Sequence, residues 1–140
     1  LIDESKEKSP MPQFKIIPSR EKTLAGIPDY TVGIEPLGQT VTISYQGTLI
    51  AETTEALLVN ETKHNEVVYL PRAAMKPEHF TKTEHSTYCP FKGHACYWNL
   101  IVSNTTEDNI VWSYESPYDE VSELKDFIAF YPNRTEMKLG

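Results

Sequence analysis

The stretch Ser86–Trp98, STYCPFKGHACYW, holds both cysteines of the chain together with Lys92, His94 and four aromatic residues, and His85 stands just before it. Thiols, imidazoles and an ammonium so close together suggest a metal site, a reactive thiol, a disulfide or a ligand pocket. For metal, His85, Cys89, His94 and Cys96 form H-x3-C-x4-H-x-C, four zinc-capable side chains. The paired C-x-x-C knuckles of structural zinc sites are missing, so no metal ligand is assigned and no cofactor is expected. A strand that starts near Ala95 also sends Cys96 to the Trp98 face.

A Cys89–Cys96 disulfide would close a small loop, but a reducing compartment disfavours it. Cys89 as a nucleophile or redox centre draws support from Lys92, because nearby cations raise the thiolate fraction. The same residue in front of Pro90 also reads as a small buried hydrophobe. Gly93, after Pro90-Phe91-Lys92, fits a tight turn with positive φ. That turn places Lys92 beside the start of a strand.

These residues need a scaffold, and the chain length of 140 residues fits one domain with an ordinary core. Hydrophobic residues are 39% and charged residues 24%, a soluble balance, and no apolar run approaches membrane-spanning length. Net charge is -7 and the basic residues form no block, so neither nucleic acid nor membrane is an expected partner. An anionic ligand would need a site built locally from single cations. Two cysteines suggest a reduced, cytoplasmic protein. N-x-T patterns at Asn60, Asn104 and Asn133 leave secretion open.

Residues 1–10 read as a charged, disordered tail, tag remnant or linker. Residues 11–29, with Pro12, Pro18 and Pro28, read as an extended arm. From Tyr30 the pattern alternates with period two, through Val32 and Ile34, then Val41, Ile43 and Tyr45, with Gln46-Gly47 as a hairpin turn. Shorter strands are expected at Ala56–Asn60 and Val67–Leu70, a helical turn at Arg72–Met75, and a polar loop to Tyr88. Ala95–Ser103 is the strongest strand, with Trp98 toward the core and Tyr97 toward a groove. A turn at Thr105–Asn109 leads to a strand at Ile110–Tyr114. Ser116 and Pro117 are expected to start a short helix reaching toward Lys125. Phe127–Tyr131 is a last buried strand, and residues 136–140 form a C-terminal tail. The sum is about eight antiparallel strands and one short helix, a mainly β domain.

Four separated motifs, VVYLPRAAM (67–75), STYCPFKGHACYW (86–98), IVWSYESP (110–117) and FIAFYPNR (127–134), together resemble the DUF427 domain family over roughly residues 30–135. The segment TLIAETTEALLVNET (48–62) is similar to it as well. The resemblance implies a β-tent, or Mss4-like, fold in which two antiparallel sheets lean around a groove. The family also carries a nucleotidyltransferase label, yet this chain has no Gly-rich phosphate loop and no paired-aspartate motif. The resemblance therefore implies a fold but no activity.

The motif residues Tyr69, Arg72, Cys89, Lys92, Tyr97, Trp112 and Tyr114 have the composition of a small-molecule pocket, aromatics with a few charges. Arg72 and Lys92, each at a strand end, are expected to flank one mouth of that groove, and Glu61 is expected to orient Arg72 by an ion pair. His85 or Glu61 could carry protons. Three function classes follow: a module binding a small anionic or aromatic ligand, an enzyme using Cys89 in the same groove, and a protein-interaction module.

Overall fold

Alternation of buried and half-exposed side chains defines the first hairpin. Val41, Ile43 and Tyr45 are buried while Thr42 and Ser44 between them are not. Gln46 and Gly47 both take positive φ (47° and 81°), the two-residue turn that matches strand twist. The structure is a computed structural model that describes residues 15–16, 31–62 and 64–140. The expected tail (1–10) lies outside the described residues. So does the arm (11–29), apart from the backbone of Lys15–Ile16.

The described residues form a mainly β domain with eleven antiparallel strands in two sheets. They are β1 (Lys15–Ile16), β2 (Thr31–Pro36), β3 (Val41–Tyr45), β4 (Thr48–Thr53), β5 (Leu57–Glu61), β6 (Val67–Pro71), β7 (Phe80–Cys89), β8 (Gly93–Val102), β9 (Thr105–Ser113), β10 (Phe127–Phe130) and β11 (Glu136–Leu139). One sheet runs β1-β2-β5-β6-β10-β9-β8-β7, and the other β11-β3-β4. Among the described residues no helix is long and apolar enough to cross a membrane.

Four expectations are corrected. The polar loop before Tyr88 is the ten-residue edge strand β7, paired to β8 from Phe80↔Leu100 to Cys89↔Gly93. Its side chains are mostly exposed, so it lacks the apolar alternation of a half-buried strand. The turn at Thr105–Asn109 is the first half of β9, and chain reversal occurs earlier, where Ser103 takes φ 53°. The helix after Ser116 is only 3-10 structure over Asp119–Leu124. It follows Tyr118, has no side-chain cap and is interrupted at Val121 (φ -127°, ψ 30°). The C-terminal tail contains β11, which pairs with β3 from Glu136↔Ser44 to Leu139↔Val41. The helical turn after Pro71 is present as 3-10 structure at Arg72–Ala74.

Because neighbours on a strand face opposite ways, the large sheet carries a core on each side. On one side the small sheet packs against it, joining Val41, Ile43 and Ile50 to Leu70, Trp98, Leu100 and Ile128. On the other side Tyr69, Ala95, Tyr97, Tyr114 and Ala129 meet Val32 and Val59, capped by Val121 and Leu124. Tyr97 and Trp98 therefore divide as expected, one to each side.

The second side is strongly concave. β5 and β8 are four strand intervals apart, about 19 Å on a flat sheet at ~4.8 Å spacing. Glu61 at the end of β5 nevertheless bonds directly to Lys92, one residue before β8. Only a sheet that curls back toward itself allows that contact.

Candidate functional site

The turn Pro90–Lys92 closes the β7–β8 hairpin. Gly93 takes φ +116°, in the left-handed region that side chains disfavour. A Cβ there would also meet the Ser116 carbonyl at 3.3 Å. The Tyr118 N–H donates to the Lys92 carbonyl (3.0 Å), tying the turn to the segment after β9. Lys92 is thereby aimed into the concave side, where Nζ donates to both Glu61 carboxylate oxygens at 2.5 and 2.6 Å. Both side chains are more than nine-tenths buried, at 6% and 8% exposure. Burying either charge alone would be costly, so the site requires the pair.

Around this pair lies a cleft of about 610 Å³. Its walls are aromatic and mutually braced. Trp112 Nε1 donates to the Tyr69 hydroxyl at 3.2 Å, with the two rings edge to face at 6.3 Å. Tyr131 stacks at a tilt on the other side of Trp112, 4.7 Å between centroids. The Tyr97 hydroxyl shares a 2.8 Å hydrogen bond with Thr87 Oγ1 on the edge strand. The Tyr114 ring lies 5.9 Å from the Lys92 ammonium.

Burial pushes the Tyr69 and Tyr114 phenols well above their ordinary pKa, and it raises that of Tyr131 as well. These groups therefore remain proton donors at neutral pH. The Tyr114 hydroxyl makes no hydrogen bond among the described residues. Every fully sealed side-chain nitrogen or oxygen among them has a partner. The Tyr114 residue is only 9% exposed, so its hydroxyl reaches the open space that the ring lines, the cleft itself.

Residues 33–139 match the family model described as a domain of unknown function (DUF427). The chain belongs to the DUF427 family. A search among curated proteins finds no match. The matched span of the DUF427 domain includes every strand that lines the cleft, and Cys89-Pro90-Phe91-Lys92-Gly93 supplies its β7–β8 turn.

Of the residues singled out in the sequence, Glu61, Tyr69, Cys89 and Lys92 line this cleft of the DUF427 domain, together with Tyr97, Trp112 and Tyr114. His85 is outside the lining and stacks on Tyr97 from β7, 4.6 Å between centroids. Arg72 is elsewhere. It pairs with Glu115 (3.1 Å) rather than Glu61, and lines a different cleft beside Trp98. The expected Arg72–Glu61 pair and the shared mouth of Arg72 and Lys92 are both corrected. Pro71 turns the chain to the small-sheet side, whereas the Gly93 turn aims Lys92 to the concave side.

Cys89 and Cys96 are both free thiols. Cys89 packs with the concave-side cluster and Cys96 with the small-sheet cluster. Burial and the Glu115 carboxylate raise the Cys96 thiol to about 11. Among the described residues no three His, Cys, Asp or Glu side chains gather as metal ligands. Tyr88, Phe91 and Tyr131 also line the cleft and were not singled out from the sequence. Tyr131 had a signal: it continues the alternation from Ala129 in FIAFYP.

Proposed function

We propose that the domain is a small-molecule binding module whose ligand occupies the concave cleft, and that this ligand is a compact, neutral aromatic compound bearing a hydrogen-bond acceptor. The observation that carries this reading is the Tyr114 hydroxyl, a donor open to the cleft with no acceptor among the described residues, set among aromatic walls. The Lys92 ammonium is committed to Glu61, so the described residues that line the cleft offer no surplus positive charge. Combined with a net charge of -7, that favours the aromatic over the anionic side of the expected ligand class. The two antiparallel sheets are also compatible with a β-tent, Mss4-like architecture, and we read the fold that way.

The test is a thermal-shift and titration series with benzamide and indole-3-carboxamide as neutral planar probes, and benzoate and inorganic phosphate as anions. The amides are expected to raise the melting temperature saturably. Tyr114→Phe, which removes one hydrogen bond, is expected to weaken them by roughly 2- to 12-fold. An amide series that leaves wild type unmoved, or that acts equally on the variant, overturns the reading.

Thiol chemistry in the same cleft has one supporting observation, the place of Cys89 in its wall. The nearest sequence cation, Lys92, is held by Glu61 and is not free to serve a thiolate. Cys89→Ser binding the same probes as wild type would assign the thiol to the wall alone.

A further inference from the structure

The other side of β8 opens onto a second cleft, of about 920 Å³, whose lining includes Arg72, Met75, Pro77, Phe80, Trp98 and Phe127. Trp98 is 4% exposed, and its indole N–H has no acceptor among the described residues. Since every sealed side-chain nitrogen there has a partner, this N–H is open to the cleft that the ring lines. Above the same ring lie two cations: the Arg72 guanidinium carbon at 5.1 Å and the Lys82 ammonium at 5.7 Å from the centroid. Both bond to the single carboxylate of Glu115, Arg72 through Nη1 at 3.1 Å and Lys82 at 2.7 Å. The remaining Arg72 donors, Nε and Nη2, have no partner among the described residues. Lys125, Asp126 and Glu55 also line the cleft and make its total charge close to balanced. An anion would therefore be held by the local donors, not by a broad positive field.

We propose that this second cleft binds a small amphipathic carboxylate. Its apolar body lies against Phe80, Met75 and Phe127, and its carboxylate accepts from the Arg72 guanidinium and the Trp98 indole N–H. A guanidinium fork suits a planar two-oxygen acceptor. The indole N–H points outward in the plane of the ring and each carboxylate oxygen accepts at about 2.9 Å, so a carboxylate at the ring's edge offers one oxygen to it and the other to the guanidinium above. The site is separate from the concave cleft, and either can be occupied without the other.

The two tryptophans, Trp98 and Trp112, fall one in each cleft and give two indole N–H resonances in a nitrogen–proton correlation spectrum. The wild-type protein is titrated with 4-phenylbutanoate and, separately, with its neutral analogue 4-phenylbutanamide. Proximity to the Tyr69 ring identifies the Trp112 signal, so no folding-sensitive variant is needed for assignment. The carboxylate is expected to move the Trp98 signal saturably, and the amide to bind at least about 10-fold more weakly. Arg72→Ala should weaken the carboxylate by about 10-fold or more, with partial recovery in Arg72→Lys. Equal binding of acid and amide, an unmoved Trp98 signal, or an unchanged affinity in Arg72→Ala each overturns the proposal. A shift confined to Trp112 overturns it too, and assigns the acid to the concave cleft.

Discussion

Adjacent residues of β8, Tyr97 and Trp98, anchor two clefts that handle charge in opposite ways. In the concave cleft the cation is buried with its counter-ion, and the Lys92–Glu61 pair bridges strands four intervals apart. At the other cleft Arg72, with its neighbours Lys82 and Glu115 beside the lining, is exposed: the three are 44%, 45% and 38% exposed and share one carboxylate between two cations. A buried pair must stay closed, because opening it leaves an uncompensated charge in a dry site. An exposed trio can admit a new acceptor at small cost, because water already competes for it. The first arrangement fixes the shape of the sheet, while the second leaves donors available.

The sharpest way to break this contrast is to remove one cation from each cleft. Lys92→Met should destabilise the fold by about 3–5 kcal/mol at neutral pH, since Glu61 then keeps a buried charge without that cation. The double variant Glu61→Leu/Lys92→Met should recover most of the loss. Arg72→Met should cost less than ~1 kcal/mol. Urea denaturation measures all three, and similar losses for Lys92→Met and Arg72→Met would show that the two cations are equivalent.

Truncating the two anchors separates packing from polar contact. Trp98→Ala removes a large side chain from the core beneath the small sheet and should cost about 3–5 kcal/mol. Tyr97→Phe loses the hydroxyl that bonds Thr87 and interacts with Tyr131, and should cost about 0.5–1.5 kcal/mol. If the order is reversed, the concave side, not the small-sheet side, is the main stabilising core.

The smallest effect is one of pH. The hydrogen bond from Lys82 holds the Glu115 carboxyl below the ordinary carboxylate range, against a desolvation that would raise it. A folded-state value below the unfolded one gives a contribution present above the unfolded value. That contribution is lost as pH falls through the folded value. Carbon-detected titration of Glu115 should therefore show a midpoint below the usual ~4.3, moving upward in Lys82→Ala. An unmoved midpoint would mean that Lys82 does not govern this carboxylate.

Period-two alternation made β2, β3 and the split between Tyr97 and Trp98 legible in the sequence, while β5 and β6 were legible as short apolar runs between turns. In β3 buried side chains alternate with half-exposed ones, and hydropathy records the difference. The β7 segment TKTEHSTY gave no such signal, because an edge strand wet on both faces has nothing to alternate. Its threonines, which favour strands, were the available clue. Seven of the nine site candidates converge because the aromatic motifs share the concave face. The pairing of Glu61 with Lys92 was not legible. Those residues are 31 positions apart, and they meet only because the sheet curls, which a local pattern cannot encode. The same blindness paired Arg72 with Glu61, although Pro71 had already turned it to the other side.

The place of β10 has a consequence in time. This four-residue strand lies between β6 and β9 at the middle of the large sheet, although it follows both of them in the chain. Until Phe130 has left the ribosome, β6 and β9 have bare edges that face each other across a missing strand. Neither core can close before then, and the Glu61–Lys92 bridge has no curl to span. For that interval the nascent chain exposes unpaired strand edges of the kind that invite aggregation. Both clefts therefore come into being together, in one late step, as a short apolar strand fills the gap.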